Sequence, residues 1–225
     1  MLVTGATGGI GAAVVRAAAD RGYDVMAAGR DAARLDQLCA AIPRTIPILF
    51  DLRDPVDLPE PLVKLDRLDA IVHCAGIAEV AGVDETPYAL WLETLTVNVA
   101  ATAELTRALL PALRKAIGHV VYINAAPGLH AVPRWSAYTA SKAALRELAD
   151  SLREEEAHHG LRVTSIYPGG TATELLRKVR TQLGRPFRAA DCIRPETLAS
   201  VVLAALDMPD DAYLAELSVL AAPRA

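Results

Sequence analysis

Short apolar runs alternate along the chain with longer stretches in which apolar residues recur at helical spacing. This alternation is typical of repeated βαβ units, in which parallel strands form one sheet and helices connect them. It predicts strands at residues 1–4, 24–28, 45–50, 69–73, 119–124, 161–167 and 214–219. It predicts helices at residues 9–21, 32–40, within 91–116, at 136–156 and at 195–206. Ser136 is well placed to be the N-cap of the helix at 136–156.

The composition fits a single α/β domain. The chain has 225 residues, which we expect to form one domain, and 52% of them are apolar, enough for a large core. Only 4% are aromatic, so the core has to be built from Ala, Val, Leu and Ile, which suits a parallel sheet buried between helices. The segment 174–194 is charged and contains Gly184 and Pro186. We expect this segment to be a mobile flap over a site.

Charge and cysteine content exclude several kinds of partner. The formal net charge of −4 and the isoelectric point near 5.7 give no basic surface for nucleic acid or for an anionic membrane. Cys39, Cys74 and Cys192 are widely separated and lack the spacing of metal ligands, so we expect reduced thiols and no metal site. The sequence contains no apolar run of membrane-spanning length and begins without a secretion signal. We therefore expect a cytoplasmic protein.

A glycine-rich turn, residues 4–11, lies between the first predicted strand and the first predicted helix. Gly5, Gly9 and Gly11 allow unusual backbone angles and let a phosphate approach the helix N-terminus, where free N–H groups favour anions. Three glycines alone are weak evidence, because a tight turn can need them for structural reasons. Their position at the start of a βαβ series favours a site for the pyrophosphate of a dinucleotide.

Tyr138 and Lys142 lie one helical turn apart on a predicted helix, so their side chains share a face. At an effective dielectric constant of about 20, a cation about 5 Å away stabilises a phenolate by roughly 3 kcal/mol, or about two pKa units. The spacing therefore predicts a tyrosine whose pKa is lowered by the lysine and which moves a proton. With the glycine-rich turn, this pair indicates an enzyme that uses a nicotinamide cofactor.

These motifs together resemble the short-chain dehydrogenase/reductase family. The glycines of the turn, the Cys74-Ala75-Gly76 sequence, Asn98, the Tyr138–Lys142 pair and Pro168-Gly169 follow one another in the order and spacing of that family, and the resemblance runs from Leu2 to about Thr173. It implies a Rossmann-type doubly wound parallel sheet of about seven strands with helices on both faces. It also implies a homodimer or homotetramer that pairs through the helices bearing Asn98 and Tyr138.

The resemblance assigns roles to individual residues. Tyr138, Lys142 and Asn98 would be catalytic: Lys142 would also hold the nicotinamide ribose, and Asn98 would hold a water that links Lys142 to solvent. Asp51 would contact the adenine, and the loop that begins at Pro168 would meet the carboxamide. The cofactor-binding residues would be Gly5, Thr7, Gly9, Ile10, Gly11, Arg30, Asp51, Leu52, Ala75, Gly76, Asn98, Tyr138, Lys142, Pro168, Gly169, Thr171 and Thr173.

The end of the second strand favours NADP(H) over NAD(H). An acidic residue there would accept hydrogen bonds from a ribose 2′-hydroxyl, but this chain has Gly29 followed by Arg30. A guanidinium beside a neutral residue suits a 2′-phosphate. The alternative is that Arg30 is only a solvated surface cation.

One position departs from the family. A serine that steadies the substrate oxygen is expected about 13 residues before the tyrosine, and that position is Ala125. Its neighbour Ala126 has no hydroxyl, and Ser136 lies on the wrong side of the loop unless its role as N-cap is given up. Asn124 could donate through its amide if the loop shifted. Since losing an oxyanion donor typically costs about 10²–10³ in turnover, the departure puts the rate, and even the activity, in doubt.

The main hypothesis is an NADP(H)-dependent oxidoreductase that interconverts a ketone or aldehyde and an alcohol. The substrate is expected to be apolar, because the residues predicted around it are Leu129, His130, Val132, Trp135, Leu175, Leu176 and Val179. One alternative is a nucleotide-binding sensor or scaffold with little or no catalysis, favoured by Ala125. A weaker alternative is a family member that catalyses epimerisation or dehydration at the same cofactor site.

Overall fold

In a computed structural model, which describes residues 1–126 and 132–223, the chain forms one sheet of seven parallel strands. The strands are β1 (Leu2–Thr4), β2 (Val25–Gly29), β3 (Thr45–Leu49), β4 (Ala70–His73), β5 (His119–Ile123), β6 (Arg162–Pro168) and β7 (Glu216–Val219). Their order in the sheet is β3-β2-β1-β4-β5-β6-β7. The chain winds outward from β1 to one edge and from β4 to the other, so the predicted doubly wound α/β fold is confirmed.

The same residues contain eight α-helices. They are α1 (Gly9–Asp20), α2 (Ala32–Ala41), α3 (Glu60–Val63), α4 (Tyr88–Leu95), α5 (Ala101–Ala116), α6 (Ser136–Glu156), α7 (Glu174–Gln182) and α8 (Pro195–Leu206). A π-helical turn, Thr96–Ala100, joins α4 to α5. The predicted strands and helices lie within a few residues of these bounds, whereas the sequence pattern does not predict the short helices α3 and α7.

Helices cover both faces of the sheet, and each face has its own core. On one face α1 and α8 pack together through small side chains such as Ala18 and Ala199, which let the two helices approach closely. On the other face α5 and α6 bury larger side chains, among them Leu105, Leu109 and Leu145. The core is therefore built from small and branched aliphatic residues, as the low aromatic content predicts.

The start of α6 differs from the prediction. Trp135 occupies the N-cap position, with a non-helical backbone at φ −136° and ψ 23°, and Ser136 is already the first helical residue. The hydroxyl of Ser136 is buried and has no hydrogen-bond partner within the described ranges. The prediction of Ser136 as the N-cap is therefore wrong by one position, and the helix begins without a side-chain cap.

The segment 174–194, predicted to be a flap, begins with the regular helix α7. Thr173 caps this helix by accepting a hydrogen bond from the Leu176 amide at 3.2 Å, and Val179 in its middle is buried. The segment therefore has a defined shape against the body of the protein. That it moves over the site stays a prediction.

Candidate active site

The carboxyl ends of the parallel strands meet at one edge of the sheet, and two adjoining cavities open there. The chain reverses its winding direction between β1 and β4, which is where α/β proteins bind ligands. A cavity of about 340 Å³ lies over the glycine-rich turn, and a cavity of about 520 Å³ lies beyond the ends of β4, β5 and β6. We call them the smaller and the larger cavity. Both are lined by Ile10, Cys74, Ala75, Gly76, Thr173 and Leu175.

The glycine-rich turn has no room for side chains at its central positions. Gly5 has a φ of +61°, and a Cβ built on it would lie 2.8 Å from the backbone of Ala75. A Cβ on Gly11 would lie 2.2 Å from the carbonyl oxygen of Gly5. Gly8 is the N-cap of α1 and offers no side-chain acceptor, so the N–H groups of the first helical turn remain open to an anion in the smaller cavity.

Two arginines, Arg30 and Arg34, also line the smaller cavity. Arg30 is exposed, and Arg34 lies in the first turn of α2. The Arg34 guanidinium donates a hydrogen bond of 2.6 Å to the Thr7 carbonyl oxygen, which fixes the glycine-rich turn. Asp31 caps α2 by accepting from the Arg34 amide at 3.1 Å. Sequence reasoning misses Arg34, although its spacing of four residues from Arg30 is a usable signal.

Tyr138 and Lys142 lie on one face of α6 and line the larger cavity. The Lys142 Nζ is 5.8 Å from the centre of the Tyr138 ring and donates a hydrogen bond of 2.9 Å to the Ile123 carbonyl oxygen. Burial raises the pKa of Tyr138 to about 12 and lowers the pKa of Lys142 to about 8. The predicted lowering of the tyrosine pKa is therefore wrong in direction, because burial removes the water that would stabilise the phenolate.

The ring of Tyr138 is held by an aromatic neighbour. Trp135 stacks on it with ring centres 4.5 Å apart and planes inclined by 21°. The two rings lie one helical turn apart at the start of α6, and both line the larger cavity. The stacking contact therefore restricts the orientation of the Tyr138 phenol at the cavity wall.

Asn98 lies in the π-helical turn and lines neither cavity. Its Oδ1 accepts from the Ile77 amide at 2.8 Å, while its Nδ2 donates to the Ile77 carbonyl at 3.0 Å and to the Ser141 hydroxyl at 2.9 Å. Ser141 in turn donates to the Tyr138 carbonyl at 2.7 Å. The amide thus ties the loop after β4 to α6. Both side-chain N–H groups are already used, so the predicted link through water would have to use an acceptor of Asn98, either Oδ1 or the main-chain carbonyl oxygen.

Comparison with known proteins gives the family of this chain. A family model described as short chain dehydrogenase matches residues 1–184. The chain belongs to this family. An uncharacterised short-chain type dehydrogenase/reductase of Sinorhizobium fredii is 30% identical to it, over 97% of this chain and 90% of that protein.

Solved structures agree with the family assignment. A short-chain dehydrogenase from Streptomyces avermitilis is 30% identical, with a TM-score of 0.81 over 97% of this chain and 86% of the other. A metagenomic short-chain oxidoreductase in complex with NADP is 27% identical, with a TM-score of 0.80 over 99% and 96%. This chain is thus an oxidoreductase-family protein with the fold of its solved relatives.

In this short-chain dehydrogenase, the residues predicted to bind cofactor divide between the two cavities. The smaller cavity is lined by Gly5, Thr7, Gly9, Ile10, Gly11, Arg30, Asp51, Leu52, Ala75, Gly76 and Thr173. The larger cavity is lined by Tyr138, Lys142, Pro168, Gly169 and Thr171 as well as by the shared residues. Asn98 lies behind Gly76, where a Cβ would be 3.4 Å from its Oδ1. The structure thus brings every predicted residue except Asn98 to a cavity wall.

The position expected to carry a serine hydroxyl is Ala125, and it lines the larger cavity. Asn124, also at the wall, accepts a hydrogen bond from the Ala125 amide at 2.9 Å through its Oδ1. Its Nδ2 is buried and has no partner in the part of the chain that the structure describes. Ser136 does not line the cavity. Of the replacements considered from the sequence, Asn124 alone combines a place at the wall with a spare donor.

The structure describes five of the seven residues that are predicted to surround the substrate. Five of them line the larger cavity: Val132, Trp135, Leu175, Leu176 and Val179. Leu129 and His130 lie outside the described residues. Arg180 and Arg185, which sequence reasoning misses, line the same cavity.

In residues 1–126 and 132–223, no group of three His, Cys, Asp or Glu side chains is placed to hold a metal ion. No helix in these ranges combines the length and apolar character needed to cross a bilayer.

Proposed function

We propose that this protein is an NADP(H)-dependent oxidoreductase that interconverts a ketone or aldehyde and an alcohol. The observation that carries the proposal is that the Tyr138 phenol lines a cavity adjoining the glycine-rich turn. A proton donor and a phosphate-binding turn thus line two adjoining cavities that share part of their walls. Membership of the short chain dehydrogenase family supports the same reaction class.

The residues of the smaller cavity fit a dinucleotide. A Cβ on Gly11 would collide with the Gly5 carbonyl, so the turn can pack closely against a pyrophosphate while α1 presents open N–H groups. Gly29 ends β2 without a carboxylate, and Arg30 and Arg34 supply two cations for a 2′-phosphate. These features favour NADP(H) over NAD(H). Bound there, the nicotinamide would exchange a hydride with the carbonyl carbon.

Tyr138 is the proposed proton donor. With its pKa raised to about 12 by burial, the phenol stays protonated at neutral pH and can give its proton to the carbonyl oxygen as that oxygen becomes an alkoxide. Lys142, whose pKa is lowered to about 8, is still mostly charged at pH 7 and stabilises the phenolate that remains. Trp135 keeps the ring aimed at the cavity through its stacking contact.

Asn124 is the proposed replacement for the missing hydroxyl. Its Oδ1 is fixed by the Ala125 amide, which leaves Nδ2 as the group available to a substrate oxygen. A buried N–H without a partner is unfavourable, and a substrate oxygen would satisfy it. A small shift of the loop after β5 would be needed, since Nδ2 is covered.

The decisive experiment is NADPH oxidation with a panel of ketones. Tyr138→Phe should lower turnover by roughly 10²–10⁴-fold, because the proton donor is removed, while NADPH affinity should change far less, since most of the predicted cofactor contacts lie in the smaller cavity. Tyr213→Phe is the matched control, because Tyr213 lines neither cavity. Equal turnover in Tyr138→Phe and the parent would overturn the proposed role.

A second candidate function is supported by Ala125. A nucleotide-binding sensor or scaffold would not need the hydroxyl that is missing there. Ala125→Ser separates the two possibilities: a large gain in turnover would mark the natural protein as catalytically impaired, whereas unchanged high turnover would show that another donor, such as Asn124, already serves.

We also propose that the protein forms a homodimer or homotetramer. Tyr88, Leu92 and Leu95 lie at helical spacing on α4 and are 78%, 52% and 37% exposed. Light scattering after size exclusion should give a multiple of the 23.9 kDa chain mass, and Leu92→Glu should lower it.

A further inference from the structure

The charged side chains that line the larger cavity are all positive. Among the described lining residues they are Lys142, Arg180 and Arg185, and no Asp or Glu is present. Residues 127–131 include no acidic side chain either. The chain as a whole carries a net charge of −4, so this concentration of positive charge is local. Lys142 is explained by its place beside Tyr138, whereas the two arginines have no role in the reaction described above.

The backbone at the end of α7 brings Arg180 and Arg185 together. Gly184 has a φ of +63°, its amide donates to the Thr181 carbonyl at 3.0 Å, and the Arg185 amide donates to the Arg180 carbonyl at 2.8 Å. This pair of hydrogen bonds is a Schellman motif. In such motifs the two residues that correspond to Arg180 and Arg185 are frequently apolar and in contact. Here both positions carry a guanidinium. The motif therefore holds two like charges near each other at the cavity wall.

The other cations of α7 are neutralised, but these two are not. Arg177 pairs with Glu174, and Lys178 pairs with Glu79. Neither Arg180 nor Arg185 has a hydrogen-bond or ion-pair partner for its guanidinium among residues 1–126 and 132–223. The negative end of the α7 dipole favours one cation in its last turn, but it does not explain two guanidinium groups at the wall of one cavity. An anion in the cavity would pair with both.

We propose that the substrate carries a carboxylate, which Arg180 and Arg185 bind, at the opposite end of an apolar body from the reacting carbonyl. This inference rests on the proposed function and names its substrate class, an oxo acid or the corresponding hydroxy acid. Val132, Leu176 and Val179 line the cavity and would contact the apolar body. The arginines line only the larger cavity, which assigns their anion to the substrate and leaves the nucleotide phosphates to the glycine-rich turn.

Binding is tested first, without turnover. Hexanoate is titrated into the protein with tryptophan fluorescence as the readout, because Trp135 lines the cavity. Hexanoate should bind at least tenfold more tightly than hexanamide, and the Arg180→Met/Arg185→Met double variant should lose this preference. Arg177→Met, in the same helix but away from the cavity wall, should keep it. Equal binding of hexanoate and hexanamide to the parent would overturn the proposal, and so would a preference that survives the double variant.

Turnover then separates this inference from the proposed function. An oxo acid and its methyl ester are compared in NADPH oxidation, and the acid should have a KM lower by about 10–100-fold in the parent but not in the double variant. Arg177→Met, away from the cavity wall, should keep the parent's lower KM for the acid. If neither compound is reduced while hexanoate binds through the arginines, the proposed reaction fails and the carboxylate site stands. If hexyl phosphate binds more tightly than hexanoate and depends on the arginines, the carboxylate assignment is overturned.

Discussion

The two cavities at the carboxyl edge of the sheet share the loop after β4, yet they are built from different parts of the chain. The smaller cavity is shaped mainly by backbone, in a turn where Gly5 and Gly11 leave no space for a Cβ. The larger cavity is lined by side chains from distant segments, including Asn124 after β5, Tyr138 on α6 and Arg180 on α7. A site made of backbone depends on local sequence, whereas a site made of side chains depends on how the helices pack.

Asn124→Asp tests the larger cavity, and we expect its effect on turnover to be second only to that of Tyr138→Phe. The aspartate keeps an acceptor for the Ala125 amide but removes the Nδ2 donor, so turnover should fall by about 10²–10³-fold. Adding Ala125→Ser to this variant should restore part of the loss by supplying a hydroxyl. Nucleotide affinity should not change in either protein. Unaltered turnover in Asn124→Asp would exclude the amide as the oxyanion donor.

The difference between the cavities also explains what the sequence could predict. The alternation of strands and helices predicts the fold, and the glycine-rich turn and the Tyr138–Lys142 pair are local motifs that parallel strands bring to one edge. The pKa of Tyr138 could not be predicted, because burial depends on the whole tertiary structure. The pairing of Asn98 with Ile77 and the stacking of Trp135 on the tyrosine likewise follow from contacts between elements. The prediction of Ser136 as N-cap was wrong because local sequence does not specify the first helical residue.

Gly11→Ala breaks the smaller cavity alone. The added methyl group would lie 2.2 Å from the Gly5 carbonyl oxygen, so the turn has to shift. We expect the variant to lose about one charge-assisted hydrogen bond to the nucleotide, which lowers NADPH affinity by about 10–100-fold. We also expect its free energy of unfolding to fall by about 1–3 kcal/mol. Calorimetry measures the affinity and a thermal melt measures the stability.

Gly170→Ala is the matched control for that variant. A Cβ on Gly170 would meet only the end of the Leu176 side chain at 3.5 Å, an ordinary contact, and its φ is not positive. Its melting temperature should stay close to that of the parent, so it controls for the stability loss. If Gly11→Ala melted like Gly170→Ala and bound NADPH as tightly as the parent, the close packing of the turn would have no part in nucleotide binding.

Arg30→Gln has a smaller effect, confined to one cofactor. Arg30 is exposed, so its contact with a 2′-phosphate is partly screened by water, and we expect NADPH affinity to fall by roughly tenfold with NADH affinity unchanged. Arg34→Gln should lower the affinity for both NADPH and NADH, since Arg34 also donates a hydrogen bond to the Thr7 carbonyl oxygen. Arg16→Gln, on an exposed position of α1, is the control. A uniform loss for both cofactors in Arg30→Gln would argue against a 2′-phosphate site.

The pH dependence of carbonyl reduction gives the smallest effect, and it separates the two cavities without any mutation. Burial lowers the pKa of Lys142 to about 8, so its ammonium is present below that pH and is lost above it. Because kcat/KM reports the free enzyme, it should be flat from pH 6 to 7, about half maximal at pH 8 and roughly a tenth of its maximum at pH 9.

The Tyr138 phenol, with its pKa raised to about 12, stays protonated throughout this range. NADPH affinity should change far less, since most of the predicted nucleotide contacts lie in the smaller cavity, which Lys142 does not line. A profile that stays flat to pH 9 would remove Lys142 from the proton transfer, while an equal fall in NADPH affinity would move the titrating group to the smaller cavity.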